Sequence, residues 1–285
     1  MELHVLGSSS SGNCYLISNE TECLIIEAGV KLKEVKKALD FDISKVVGVL
    51  VSHEHGDHAK YTEEYLNSAI PVYCSQGTID GIKFKGIRRP EECEHGKQFK
   101  IGGFTVMPFD VQHDCNHPFG FIINHNEAGK ILFLTDTFYS EYTFKGLNHL
   151  LVEANYCKDI LEENIKSGKV HASMRNRLLT SHMSLKTCKE LLSSNDLSKT
   201  ANIVLIHLSS DNSNAKQFKE EVQAHTGKPT WIADKGLTIL LNKEFSMDED
   251  YYKQRIEQLE REDQQKHDLR VGGAGAGVIH RVGQE

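Results

Sequence analysis

The run His53-Glu54-His55-Gly56-Asp57-His58 directly follows the apolar stretch Val46-Val47-Gly48-Val49-Leu50-Val51. That stretch is short, β-branched and bounded by polar residues, which predicts a buried strand. A buried strand fixes the backbone at its end, so the residues that follow can point at one spot. Neutral imidazoles and a carboxylate suit zinc, manganese or ferrous iron. His53 and His55 can chelate one ion while Asp57 and His58 turn toward a second. Any fold of this chain must leave that strand end open and bring further donors to it.

Other apolar runs also end in donor residues. The run 104–109 precedes His113, Ile131-Leu132-Phe133-Leu134 precedes Asp136, and Ile203-Val204-Leu205-Ile206 precedes His207. Active sites of α/β proteins gather at strand carboxyl ends, so one shared site is expected. Asp114 is suited to orient a ligand histidine as a supporting carboxylate. Strands are further predicted over 3–6, 15–18, 23–26, 71–74, 119–124, 130–134, 150–153, 202–206 and 236–241, and helices over 32–39, 159–166, 172–179, 185–194 and 215–225. Two strand-rich halves with interspersed helices predict two sheets packed face to face, with helices outside.

Length and composition set the remaining bounds. A chain of 285 residues with 39% apolar content can bury one large α/β core. No apolar stretch approaches the roughly 20 residues that span a bilayer, so no membrane segment is expected. Met1-Glu2-Leu3-His4-Val5-Leu6 lacks a basic n-region, so no signal peptide is expected either. Seven cysteines without a CxxC pair predict reduced thiols in a cytoplasmic protein, packed in the core like Trp231. The net charge of −7 gives no global footprint for a nucleic-acid backbone. Locally, Asn164 to Arg177 holds Lys166, Lys169, Arg175 and Arg177 and no acid. The body is assigned to residues 1–245, a charged helix or dimer arm to 246–270, and a flexible tail to 271–285. In the tail, Gly272 to Gly277 lacks the strand and helix that a phosphate loop requires.

Taken together, His53, His55, Asp57 and His58, followed by His113, Asp136 and His207, resemble the metallo-β-lactamase superfamily. The resemblance implies a four-layer αββα sandwich, here with an appended C-terminal helix, and a two-metal hydrolytic centre. It implies that His53, His55 and His113 hold one ion, that Asp57, His58 and His207 hold the other, and that Asp136 bridges them. Zinc is the first expectation and manganese the second. A cysteine at the bridging position would imply a lactamase or thiolester hydrolase; aspartate implies phosphodiester hydrolysis.

Gly7-Ser8-Ser9-Ser10-Ser11-Gly12-Asn13, Val152-Glu153-Ala154-Asn155, Ser181-His182-Met183-Ser184 and His207-Leu208-Ser209-Ser210-Asp211-Asn212 resemble the YycJ/WalJ-like branch over about residues 1–242. That likeness implies a nuclease with 5′-to-3′ DNA exonuclease activity. The branch is similar to tRNase Z, which implies that Glu153 and His182 assist catalysis alongside the ligand Asp57. Ser181-His182-Met183-Ser184 replaces the usual Gly-His-Leu/Val-Ser, and Lys186 follows where Asn-Glu is common.

His182 is the expected proton donor, oriented by Glu153. Ser8, Ser11 and Asn13 in the Gly/Ser turn, with Lys169, Arg175 and Arg177, are the expected substrate contacts. Among the other histidines, His4 falls in a strand, His95, His125 and His149 in turns, and His225 near a helix end, while His117 and His171 lie nearer the site.

Three functions follow. The first is a nuclease acting on nucleic acid, most simply DNA. The second is a cyclic or small-nucleotide phosphodiesterase, like the phage-encoded enzymes that defeat bacterial signalling defences; the acidic balance favours it. The third is a binding protein on the same fold, which the complete donor set disfavours.

Overall fold

The computed structural model describes residues 1–243; the helix expected over 246–270 and the tail over 271–285 lie outside the described residues. In chain order the strands are β1 (Glu2–Gly7), β2 (Cys14–Ser18), β3 (Cys23–Ile26), β4 (Val46–Leu50), β5 (Val72–Cys74), β6 (Glu91–Glu92), β7 (Phe99–Ile101), β8 (Phe104–Asp110), β9 (Phe119–His125), β10 (Gly129–Leu134), β11 (His149–Glu153), β12 (Asn202–Ile206), β13 (Thr230–Ile232) and β14 (Thr238–Leu240). The helices are α1 (Leu32–Ala38), α2 (Gly56–Ala59), α3 (Thr62–Asn67), α4 (Gln76–Gly81), α5 (Lys158–Lys166), α6 (Ser173–Ser181), α7 (Leu185–Ser193) and α8 (Ala215–Thr226).

Two seven-stranded sheets result, ordered β14-β1-β2-β3-β4-β5-β6 and β7-β8-β9-β10-β11-β12-β13. Read in those directions, each passes through three antiparallel pairings and then three parallel ones. Three apolar clusters separate four layers. Leu24, Ile26 and Leu50 meet Phe121, Phe133 and Val204 between the sheets. Ile25 and Val49 pack on α1 and α3 through Val35, Tyr65 and Leu66. Leu132, Val152 and Leu205 pack on α7 and α8 through Leu192 and Phe218. Successive residues of β3 therefore enter different clusters, and a strand covered on both faces reads as a continuous apolar run. Each such side chain contributes about 1.5–3 kcal/mol by leaving water.

The αββα sandwich inferred from the resemblance is thus the observed architecture of the described residues. Among these residues, no helix is long and apolar enough to cross a membrane. All seven cysteines are free thiols; Cys115 and Cys157 are only half-buried, while the other five are core residues.

Two histidines expected in turns belong to strands instead. His125 ends β9 with Nε2 3.0 Å from Glu22 Oε1, and His149 opens β11, fully buried, with Nδ1 3.2 Å from Asn202 Nδ2. Each ring nitrogen named here meets a partner that only the fold brings near, so a polar residue tolerates a strand end, although His149 Nε2 is left without a hydrogen bond.

Candidate metal centre

The parallel strands deliver their carboxyl ends to one rim. Glu27 follows β3, His53 follows β4, Asp136 follows β10, Glu153 ends β11 and His207 follows β12. Glu27, Asp136 and His207 adopt φ values of 70°, 47° and 54°. Left-handed backbone at a non-glycine residue costs on the order of 1–3 kcal/mol, and such strain collects at functional sites. Here it turns the chain sharply as it leaves the sheet.

The His-rich loop and α2 are pinned from below. Asn13 N–H donates to the Asp57 carbonyl (2.8 Å), Ala28 N–H to the His58 carbonyl (2.7 Å), and Gly29 N–H to the Asn13 carbonyl (3.0 Å). The approach is so close that a Cβ on Gly29 would overlap the Asp57 carbonyl oxygen.

Two donor clusters result. The rings of His53, His55 and His113 lie 4.7–4.9 Å apart, centroid to centroid, and nearly perpendicular to one another. Their donor nitrogens converge within 4.8 Å. His53 Nδ1 meets Ser52 Oγ at 2.8 Å, while its Nε2 is buried without a hydrogen-bond partner. His113 Nε2 stands 3.1 Å from His55 Nδ1. In the second cluster, Asp57 Oδ2 is 3.1 Å from His207 Nε2 and 3.3 Å from His58 Nε2. Asp136 connects the two: Oδ2 is 2.8 Å from His58 Nε2, and the carboxylate also groups with His53 on one side and His207 on the other.

Electrostatics separate the histidines. Burial, reinforced by neighbouring His58, holds His53 well below the usual imidazole range, so it offers a neutral lone pair. Burial would also lower His58 and His207. Instead Asp136 and Glu27 pull His58 above that range, and Asp136, Asp57 and Glu153 raise His207 to about 9. Burial opposes charge on Asp57 and Asp136 too, but the same histidines hold both carboxyls below the usual carboxylate range. A cation captured by these atoms would displace protons.

Behind the donors stand residues with a positioning geometry. Glu27, fully buried, places Oε1 3.3 Å from His58 Nδ1, an ion-pair contact without a hydrogen bond, and Oε2 accepts from Ser52 N–H. A carboxylate behind a ligand imidazole fixes its ring orientation. Sequence reasoning missed Glu27, although it obeys the same strand-end rule that singled out Asp136. Asn155 Nδ2 donates to the His207 carbonyl at 2.8 Å.

Ser8 and Asn13, expected to contact substrate, point inward. Ser8 Oγ accepts from His207 N–H at 2.9 Å, and the buried Asn13 amide lies 3.1 Å from His58 Nε2 and 3.3 Å from Asp57 Oδ2. Of that turn, Ser10 lines the cavity over these donors, and Ser11 does not.

That cavity, of about 470 Å3, opens over His55, Asp57, His113, Asp136, His182 and His207. His182 Nδ1 lies 2.7 Å from Glu153 Oε1 and 3.0 Å from Asp136 Oδ1. Burial would lower His182, but Glu153 and Asp136 raise it to about 10. Lys169 and Arg177 line the same cavity, paired with Asp211 at 3.1 Å and Asp114 at 3.4 Å. Arg175 is turned to α5, 2.7 Å from Glu162, and does not line the cavity. Asp114 Oδ1 also sits 3.3 Å from His113 Nε2.

Residues 25–208 match the beta-lactamase superfamily domain. The chain is similar to the exodeoxyribonuclease YycJ of Bacillus anthracis, with 29% identity over 228 residues, or 74% of this chain and 84% of that protein. It also resembles the solved metallo-beta-lactamase fold protein YhfI from Bacillus subtilis (TM-score 0.61, 15% identity, 84% of this chain and 99% of that one). A further likeness is to human tRNase Z, short form (TM-score 0.58, 15% identity, 85% of this chain and 99% of that one).

Proposed function

The chain belongs to the beta-lactamase superfamily and is a hydrolase of that fold, and from that premise we propose that it cleaves phosphodiester bonds in nucleic acid, acting as a DNA exonuclease. The observation that carries this reading is the 2.7 Å contact of His182 Nδ1 with Glu153 Oε1 beside seven convergent metal-type donors. The name of the YycJ relative points the same way.

The donor set fits divalent cations. A buried unpartnered Nε2 on His53, three perpendicular imidazoles and interleaved carboxylates suit zinc first and manganese second. His53, His55 and His113 would hold one ion, Asp57, His58 and His207 the other, with Asp136 between them. Bound there, two such cations supply a water of lowered pKa and neutralise phosphate oxygens. The chain's own residues do the rest. Lys169 and Arg177, in the lining of the same cavity, orient the phosphate. His182, with Nδ1 held by Glu153, presents Nε2 to the leaving ribose oxygen and gives it a proton.

One observation favours a second reading, a cyclic or small-nucleotide phosphodiesterase. Lys169, Arg175 and Arg177 each face a carboxylate within 3.4 Å, which weakens long-range attraction of a polymer. The deciding experiment assays 5′-phosphorylated DNA, RNA and cyclic mononucleotides side by side with zinc and with manganese. The nuclease reading expects cleavage of DNA that falls steeply with salt. Hydrolysis of cyclic mononucleotides alone would replace it with the second reading. His182→Ala should keep its metal and lose roughly 10²–10⁴-fold in turnover; loss of metal would make His182 a ligand instead.

A further inference from the structure

A second cavity, of about 580 Å3, shares His113 with the one over the donors. Its lining includes Gln112, Asn116, His117, Phe138 and Thr180 and, among the described residues, no Lys or Arg. Asp110 and Asp114 also border it, the first 2.9 Å from His117 and the second 3.4 Å from Arg177, so its rim offers no unpaired cation for a phosphate and suits an uncharged ring. Phe138 is 36% exposed, two residues beyond Asp136.

The loop that presents Phe138 is held at one buried residue. Thr137 N–H donates to Glu153 Oε2 (3.3 Å), its Oγ1 donates to the Tyr139 carbonyl (2.7 Å), and the same Oγ1 accepts from Gln112 N–H (3.2 Å). An aromatic ring is thus kept partly in water beside the donor set by a fixed backbone, and rigid presentation reduces the entropy lost on binding. His117, packed edge-on against Phe119 at 4.7 Å with Nε2 2.9 Å from Asp110 Oδ1, gives the cavity a second fixed wall.

Resting on the phosphodiester reading above, we infer that this cavity takes an unpaired nucleobase of a single-stranded nucleic acid, stacked on Phe138, while the adjoining phosphodiester lies over the metal donors. Stacking serves any base, because every base has a π-face, and it requires a base released from pairing. It also supplies strand affinity where the neighbouring cations are already paired.

The test compares kcat/KM for a single-stranded oligonucleotide with kcat/KM for bis(p-nitrophenyl) phosphate in wild type, Phe138→Ala and Phe138→Trp. Phe138→Ala should lower that ratio roughly 5- to 150-fold, the range that loss of one stacked base gives, and Phe138→Trp should hold it. In wild type, a strand made abasic beside the scissile bond should lose the same factor. An unchanged ratio in Phe138→Ala, with generic diester hydrolysis intact, overturns the base site and leaves the phosphodiester reading standing. Failure of the wild type to hydrolyse any diester overturns both.

Discussion

His113 Nδ1 donates to the carbonyl oxygen of Ser181 at 2.8 Å. Since a carbonyl only accepts, the proton is fixed on Nδ1 and the Nε2 lone pair is left on the side of the ring that lies 3.1 Å from His55 Nδ1. Ser181 ends α6, and His182 is the next residue. The helix terminus that seats a proposed metal donor thus also seats the proposed proton donor. Arg177, on the same helix, reaches Asp114 beside that donor.

Glu27 should tune metal affinity without touching metal. With its carboxylate 3.3 Å from His58 Nδ1, Glu27→Gln is expected to weaken binding about 10- to 100-fold, as loss of a supporting carboxylate does. Competition with a chromophoric chelator measures this. Equal affinities would reduce Glu27 to a support for the Ser52 backbone.

Gly29 and Gly56 flank the same loop but should respond oppositely to an added methyl. Gly29→Ala would press on the Asp57 carbonyl and Asn13 N, whereas nothing lies within 4 Å of a Cβ at Gly56. Overpacking of this kind costs about 1–3 kcal/mol. Thermal melts and metal content should therefore fall for Gly29→Ala and stay near wild type for Gly56→Ala. Parity between the two variants would contradict the close approach.

His149 gives the stability a pH dependence away from the metal donors. Burial lowers it from 6.5 to about 4, so the unfolded chain binds its proton first. Its contribution is complete above pH 6.5 and is lost as pH falls toward 4, roughly 3 kcal/mol in all. Relative to His149→Gln, the wild-type advantage in urea unfolding should shrink by about 2 kcal/mol between pH 7 and pH 5. A constant difference would show that His149 does not titrate in this way.

Much of the fold was legible wherever burial was two-sided. The runs at β3 and β12 matched their predicted bounds because both faces are covered, and apolar residues fill every position but Asn202. Elements carrying little such signal were not read. β6 is two exposed glutamates, β13 is three residues after Pro229, and α2, α3 and α4 are too short to display a helical period. In the candidate site, the strand-end donors were visible as sequence because each follows an apolar run. The inward turn of Ser8 and Asn13 was not, because it depends on Tyr15, Asp57 and His207, which only the fold brings near.

The matching pairing order of the two sheets has a consequence for assembly. His53, His55, Asp57 and His58 leave the first sheet, while His113, Asp136 and His207 leave the second. A chain cut between β6 and β7 would separate them, and neither piece alone would own a complete chelate. Cations held by all seven would act as a seam between the halves, their capture reporting that the sandwich has closed in register rather than that either sheet has merely formed.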